Sequence, residues 1–337
     1  MSRLDSTINM QTKVSVIVPI FKVEKFIERC ARSLMEQTLR EVEFIFVDDA
    51  SPDGSMEVLH RTLADYPDRR QQVRILTHEQ NKGLPAARNT GLAVATGEYI
   101  FHCDSDDFVE HEMLEEMYQA AKKADADMVW SDWILSFGQN ERYMPTRDYA
   151  TPMEALKGML GGGMKFNVWN KLAKRSLYTE NNIRFPDGYG MGEDMTMMML
   201  FACASRGCYL PKAYYHYVKL NTGAFSQTFS EQHLIALKHN VERISEFLQV
   251  RFGDQLAKEI AFLKLETKFP FLIIGANDEL YHLWRTWWPE ANPYILRNKN
   301  ISWRNRIVQW CASKNQFWVV KCYYWLISKF IYGIIYR

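Results

Sequence analysis

Four short apolar runs, separated by helical patterns, limit what this chain can fold into more than any other feature. Val14 to Val18 and Val42 to Val47 are β-branched and aromatic runs of strand length. Between them Phe26, Ile27, Cys30, Ala31, Leu34 and Met35 recur at helical spacing. A second helical pattern (Met56, Leu59, Leu63, Tyr66) leads to the run Val73 to Leu76. A third, Leu84 to Ala95 with Pro85 in its first turn, leads to Tyr99 to Cys103. Such alternation predicts an α/β, Rossmann-like, mostly parallel sheet with helices on both faces, and ligands then sit beyond the carboxyl ends of the strands.

Past Trp130 the pattern is less regular. It holds a Gly-rich turn (Gly161, Gly162, Gly163), an aromatic hairpin near Tyr214 to Val218, and helices from about Glu231 onward. The expected organisation is a flexible N-terminus over 1–12, a first domain over 13–230, and a helical C-terminal region over 231–337.

The chemistry should follow the strand ends, and two of them are acidic. The second strand runs into Asp48-Asp49-Ala50-Ser51, the fourth into Asp104-Ser105-Asp106-Asp107. Asp48 and Asp49 alone read equally well as caps, because Asp and Ser at strand-to-helix turns satisfy free N–H groups of the next helix. Three acids in four positions after a buried strand are harder to explain that way, since adjacent anions repel unless a cation or ligand compensates them. Oxygen-only ligands suit a hard ion such as Mg²⁺ or Mn²⁺, which keeps one or two carboxylates and takes phosphate oxygens for the rest.

Composition removes several other classes. A formal net charge of +1 argues against nucleic acid as the main partner, which would need a strong basic field. The six cysteines include no CxxC pair and no His-rich neighbourhood, so they read as reduced core thiols and not as a zinc site. The start, MSRLDSTINMQT, has no apolar run of signal-peptide length, and a cytoplasmic location is expected.

Taken together, several segments resemble the inverting family 2 glycosyltransferases of the glycosyltransferase A-type fold. They are Val14-Ser-Val-Ile-Val-Pro19, Phe46-Val-Asp-Asp-Ala-Ser51, Asn81-Lys-Gly-Leu-Pro-Ala-Ala-Arg-Asn89, Asp104-Ser-Asp-Asp107, Trp169-Asn-Lys-Leu172 and Gly192-Glu-Asp194. They follow the family's order over roughly residues 12 to 230. The resemblance implies that Asp49 hydrogen-bonds the donor's base, usually uracil, with Pro19 and Phe21 lining the same pocket. Arg88 and Lys82 match the basic side chains beside the diphosphate. Asp104 and Asp106 match the motif that meets ribose and metal, with Asp106 the first choice of ligand and Asp107 a third candidate. Asp194 matches the general base, with Glu193 beside it.

A sugar hydroxyl needs a positioned carboxylate to take its proton, so that assignment is chemically sound. Glu193 and Asp194 also read as helix N-terminal charges favoured by the helix dipole. Trp169, Lys171, His216 and Lys219 are candidates for acceptor or phosphate contact. Lys219 stands where relatives carry Arg, and Thr222-Gly-Ala-Phe-Ser226 replaces a Ser-rich turn. His216 reads either as approaching the metal or as a stacked histidine between tyrosines.

The last stretch differs from the rest. From Ala291 to Arg337 there are eight Lys or Arg and no Asp or Glu, interleaved with Trp303, Trp310, Trp318 and Trp325. Such a mixture favours a membrane interface, or else it packs a helical subdomain. Lys321 and Lys329 oppose a spanning helix. The expectation is peripheral attachment to the anionic inner face of the cell membrane, with a nucleotide-sugar donor and a glycan or polyprenyl-diphosphate-linked glycan acceptor. A dehydrogenase is a weak rival because the turn Pro19-Ile-Phe-Lys-Val-Glu24 lacks glycine. A glycoside hydrolase needs two carboxylates but no acid cluster beside a nucleotide pocket. The alternative is an inactive nucleotide-sugar-binding scaffold, although the acid cluster and base are both retained.

Overall fold

The computed structural model describes residues 11–137, 140–219, 230–274 and 277–326. Residues 1–10, the Thr222 to Ser226 turn, Lys329 and Arg337 lie outside the described residues. The chain forms two compact units: residues up to Pro152 with Asn167–Ala236, and Met153–Phe166 with Leu237 onward. The sequence reading draws its boundary at residue 230 and does not anticipate that 153–166 joins the second unit.

The first unit begins with the alternation expected: β1 (Val14–Ile20), α1 (Ile27–Met35), β2 (Val42–Asp48), α2 (Ser55–Ala64), β3 (Val73–Thr77), α3 (Leu84–Val94) and β4 (Tyr99–His102). Every residue of β1 and β2 is buried, so both faces of the sheet are covered there. Helix α3 lies tight on β1. A Cβ at Gly91 would stand 2.5 Å from Cγ2 of Ile17, so only glycine lets the two approach this closely.

The chain continues through β5 (Phe108–Val109), α4 (Met113–Ala124), β6 (Met128–Phe137), β7 (Asn140–Met144), α5 (Pro152–Leu160), β8 (Lys171–Lys174), α6 (Arg175–Glu180), α7 (Thr196–Cys203) and β9 (Gly207–Val218). The sheet order is β3-β2-β1-β4-β8-β6-β9-β5, with β7 on β6. Strands β3, β2, β1 and β4 run parallel; β8 is antiparallel to both β4 and β6.

One expectation fails in the mixed half. Tyr214 to Val218 is not a hairpin but the end of one strand, parallel to β6 with Trp133 opposite Tyr215 and Ser136 opposite Val218. The ladder shifts register between Ser131 and Trp133, and this irregularity hides the strand from a period-two reading. Because β2, β1 and β4 are parallel neighbours, their carboxyl ends share one edge of the sheet. Pro19 to Lys22, Asp48-Asp49 and Asp104 to Asp107 therefore meet there.

The C-terminal helices are α8 (Glu231–Phe252), α9 (Ala257–Lys268), α10 (Pro270–Ile273), α11 (Asp278–Thr286), α12 (Trp303–Ser313) and α13 (Phe317–Trp325). Lys268, fully buried, donates to the carbonyls of Trp287 (2.7 Å) and Trp288 (3.4 Å) and to Asn292 Oδ1 (2.9 Å). It thereby satisfies carbonyls that α11 leaves behind at its end. Helix α13 buries Val320, stacks Phe317 on Tyr281 and pairs Lys321 with Asp278 at 3.0 Å. Trp303, Trp310, Trp318 and Trp325 stay exposed. Among the described residues no helix is long and apolar enough to cross a membrane.

Candidate active site

The edge where β1, β2 and β4 end opens into a pocket of about 730 Å³. Pro19, Phe21 and Lys22 line it from the end of β1, Asp49 from β2, Asn81 to Gly83 from the loop before α3, and Asp104 to Asp106 from β4. Gly188, Gly190 and His233 of α8 complete the wall. Of the residues singled out in the sequence, Pro19, Phe21, Asp49, Lys82, Asp104 and Asp106 are thus brought to one cavity.

Asp49 is already engaged by the protein. Its Oδ1 accepts from the backbone N–H of Lys82 (2.8 Å) and lies 2.7 Å from Nδ1 of His78; its Oδ2 accepts from the N–H of Gly83 (2.8 Å). His78 in turn meets Oγ1 of Thr90 at 2.8 Å. Gly83 caps α3 with φ of 86°, a left-handed value that favours glycine. Asp49 therefore holds the loop that forms one pocket wall. A carboxylate has about four lone-pair positions, so three bonds leave one for a ligand.

Arg88 departs from its expected place beside the diphosphate. It is 1% exposed and does not line the pocket. Its Nη1 donates to Asp194 Oδ1 (2.6 Å) and Glu193 Oε1 (3.1 Å), and its Nη2 to Asp104 Oδ1 (3.0 Å). Burial works against its charge, but the three carboxylates outweigh burial and raise its pKa. The next residue fixes the backbone on the same side. Asn89 donates to Phe185 O (2.9 Å) and Asp187 Oδ1 (2.8 Å) and accepts from Phe185 N (2.9 Å). The Arg-Asn pair so anchors the segment that carries Glu193 and Asp194.

One guanidinium faces three carboxylates. Burial and the charges of Asp194 and Asp106 push Asp104 up to about 6 against the pull of Arg88. Burial and Asp194 push Glu193 well above the carboxylate range. The side chain of Glu193 is 11% exposed and that of Asp194 22%, so Asp194 is the more accessible member.

Asp107 is occupied elsewhere. Its carboxylate accepts from Tyr215 OH (2.7 Å) and Val218 N–H (2.8 Å), and it is 1% exposed. Among the described residues no three His, Cys, Asp or Glu side chains converge as a metal-ligand set. Asp104 and Asp106 are the two acids of the β4 end on the pocket wall; a hard ion such as Mg²⁺ or Mn²⁺ would take one or two such carboxylates and diphosphate oxygens for the rest.

The remaining candidates lie outside the pocket lining. Lys171 is buried and donates to Asn167 O (2.6 Å) and Asn170 Oδ1 (2.7 Å), and burial lowers it to about 7. His216 stacks on Phe108 at 4.1 Å and meets Glu110 at 2.7 Å and Glu141 at 3.0 Å, so its partners are carboxylates and not a metal site. Trp169 is buried among Tyr215, Tyr217 and Trp133; Lys219 is exposed. The sequence reading missed His78, Tyr215 and His233. A clue to His78 was its place one residue past β3, beside the Asn81 loop; nothing local marks His233.

Residues 15–196, more than half of the chain, match the family described as glycosyl transferase family 2. The chain belongs to glycosyl transferase family 2. The family 2 chain is 34% identical to the uncharacterized glycosyltransferase EpsJ of Bacillus subtilis over 188 residues, which is 54% of this chain and 53% of EpsJ. It is 32% identical to glycosyltransferase GlyG of Streptococcus pneumoniae over 232 residues, 65% of this chain and 74% of GlyG. The crystal structure of S. aureus TarS 1–349 in complex with UDP-GlcNAc superposes with a TM-score of 0.61 at 20% identity, covering 93% of this chain and 91% of that one. That likeness shows the fold of the family 2 chain, a glycosyltransferase A-type architecture.

Proposed function

We propose that the chain is an inverting glycosyltransferase that moves a sugar from a nucleotide diphosphate donor, UDP-linked, to a hydroxyl of a glycan or lipid-linked glycan in bacterial surface polysaccharide synthesis. The observation that carries this reading is the Arg88 cluster, which ties the pocket acid Asp104 to the more accessible Asp194 through one buried side chain. The donor's base and ribose occupy the pocket between Pro19, Phe21 and Asp49, and Lys82 and Asp104 lie toward its diphosphate. Asp104 and Asp106 would hold Mg²⁺ or Mn²⁺, which supplies charge neutralisation for the leaving diphosphate.

Asp194 takes the proton of the acceptor hydroxyl. Attack from the face opposite the diphosphate then inverts the anomeric carbon in one displacement. Arg88 keeps Asp194 oriented, because its buried Nη1 donates to Asp194 Oδ1 at 2.6 Å. Glu193, whose pKa is pushed upward by burial and by Asp194, shares that guanidinium. Residues 13–230 carry this chemistry in our reading. Residues 231–337 attach the enzyme to the anionic inner face of the membrane. Support comes from exposed tryptophans seven residues apart on α12 (Trp303, Trp310) and again on α13 (Trp318, Trp325), within a stretch free of acids.

The test is Asp194→Asn. Transfer should fall by about 10²-fold or more while UDP affinity stays within about twofold of wild type, as expected for a group acting on the acceptor proton. An active Asp194→Asn enzyme would move the base elsewhere. Wild type that binds UDP but turns over no sugar nucleotide would favour the inactive scaffold.

A further inference from the structure

Beside the acid cluster four aromatic rings pack together: Trp133 of β6, Trp169, and Tyr215 and Tyr217 of β9. Tyr215 ties them to the site. Its hydroxyl donates to Asp107 Oδ2 at 2.7 Å and accepts from the backbone N–H of Asp104 at 3.0 Å. Trp169 lies flat on Tyr215 (4.5 Å between centroids, 13°) and nearly flat on Tyr217 (5.4 Å, 9°). Trp133 meets Trp169 edge-on at 5.1 Å and Tyr217 edge-on at 6.1 Å.

The four rings are not equally covered. Tyr215 is 0% and Trp169 6% exposed, whereas Trp133 and Tyr217 remain partly exposed. Trp133 and Tyr217 therefore keep ring surface that a ligand can meet. Burial raises the phenol of Tyr217, and the charges of Asp107, Asp104, Asp106 and Asp194 raise it further. Through the Tyr215 hydroxyl these rings join the acids at the end of β4, and Tyr217 also feels the field of Asp194.

We propose that Trp133 and Tyr217, backed by the buried Trp169 and Tyr215, form a platform on which a pyranose ring of the acceptor stacks beside Asp194. A pyranose offers one face of C–H groups and a rim of hydroxyls. Rigid aromatic rings cover the first at small entropic cost, and nearby carboxylates accept from the second. The acceptor is then a glycan terminus and not a bare lipid alcohol or polyol phosphate. This inference rests on the transferase reading and on Asp194 as base. It moves acceptor contact from Trp169, whose two faces are already taken by tyrosines, to its more exposed neighbours.

The experiment is saturation-transfer NMR on the full chain with UDP and Mg²⁺, using cellobiose, lactose and N,N′-diacetylchitobiose as probes. Wild type should saturate ring protons of at least one disaccharide. Trp133→Ala and Tyr217→Ala should each weaken that binding by about fivefold or more, the scale of one aromatic contact. Tyr217→Phe, which keeps the ring, should retain it. Calorimetric UDP affinity, measured on the same samples, should be unchanged in all three variants. Undiminished saturation in the alanine variants, loss in Tyr217→Phe equal to that in Tyr217→Ala, or no disaccharide signal from wild type overturns the platform while leaving UDP binding intact. Failure of wild type to bind UDP would instead sink the transferase reading and the platform with it.

Discussion

The acidic ends of β2 and β4 look alike in sequence and are compensated in different ways. At the end of β2, Asp48 accepts from Ser51 N–H (2.9 Å), and Asp49 accepts from two loop N–H groups and faces His78. These are short-range hydrogen bonds through which each carboxylate shapes a loop. At the end of β4, Asp104 shares one buried guanidinium with Glu193 and Asp194, and Asp104 and Glu193 are both pushed upward. The first arrangement is electrostatically complete. The second keeps an excess of negative charge at a pocket wall, which a divalent cation would offset.

The comparison can be broken by mutation. Arg88→Met should cost about 3–5 kcal/mol of unfolding free energy in denaturant titration, since it strands buried carboxylates without their cation. Asp49→Ala should cost less, about 1–3 kcal/mol, because what it strands are backbone donors next to a solvent-accessible pocket. Equal losses would mean that the two strand ends are not compensated differently. The smallest effect concerns Lys171, a second buried cation, whose pKa is raised somewhat by Asp194 but lowered overall by burial, to about 7 from 10.5. Between those values the unfolded chain binds the proton and the folded chain does not, so this group makes stability rise with pH from about 7 to about 10.5. Lys171→Met should flatten that rise in denaturant midpoints compared at about pH 7 and about pH 9.5. An unchanged slope would show that Lys171 keeps its ordinary affinity for a proton.

The first four strands were legible because each is a short apolar run closed by a turn signal, and β1 and β2 are buried on both faces. Pro85 marked the first turn of α3, and the acids marked the edge. Strand β9 was not legible as one strand, because Pro211 and a register shift interrupt its alternation. Strand β8, Lys-Leu-Ala-Lys, is too short to show a period. The site divides in the same way. Residues that reach the pocket from their own strand end, such as Asp49 and Asp106, could be placed there locally. The role of Arg88 could not, since its partners Glu193 and Asp194 lie 105 and 106 residues further along. An arginine near acids and one near a phosphate look identical in sequence. His216 was undecided for the same reason: its partners Glu110 and Glu141 come from distant segments.

The central claim is that the β4 end holds the cation on which donor binding depends, while the β2 end meets the nucleotide's base without a metal. Calorimetric titration of UDP into the full chain, with Mg²⁺ or Mn²⁺ and then with excess chelator, tests it most directly, with Asp106→Asn as the paired variant. The account predicts that UDP binds wild type at least about tenfold more weakly in chelator, a difference of about 1.4 kcal/mol, and that Asp106→Asn shows little further loss when the cation is removed. Equal UDP affinity with and without the cation in wild type would contradict it.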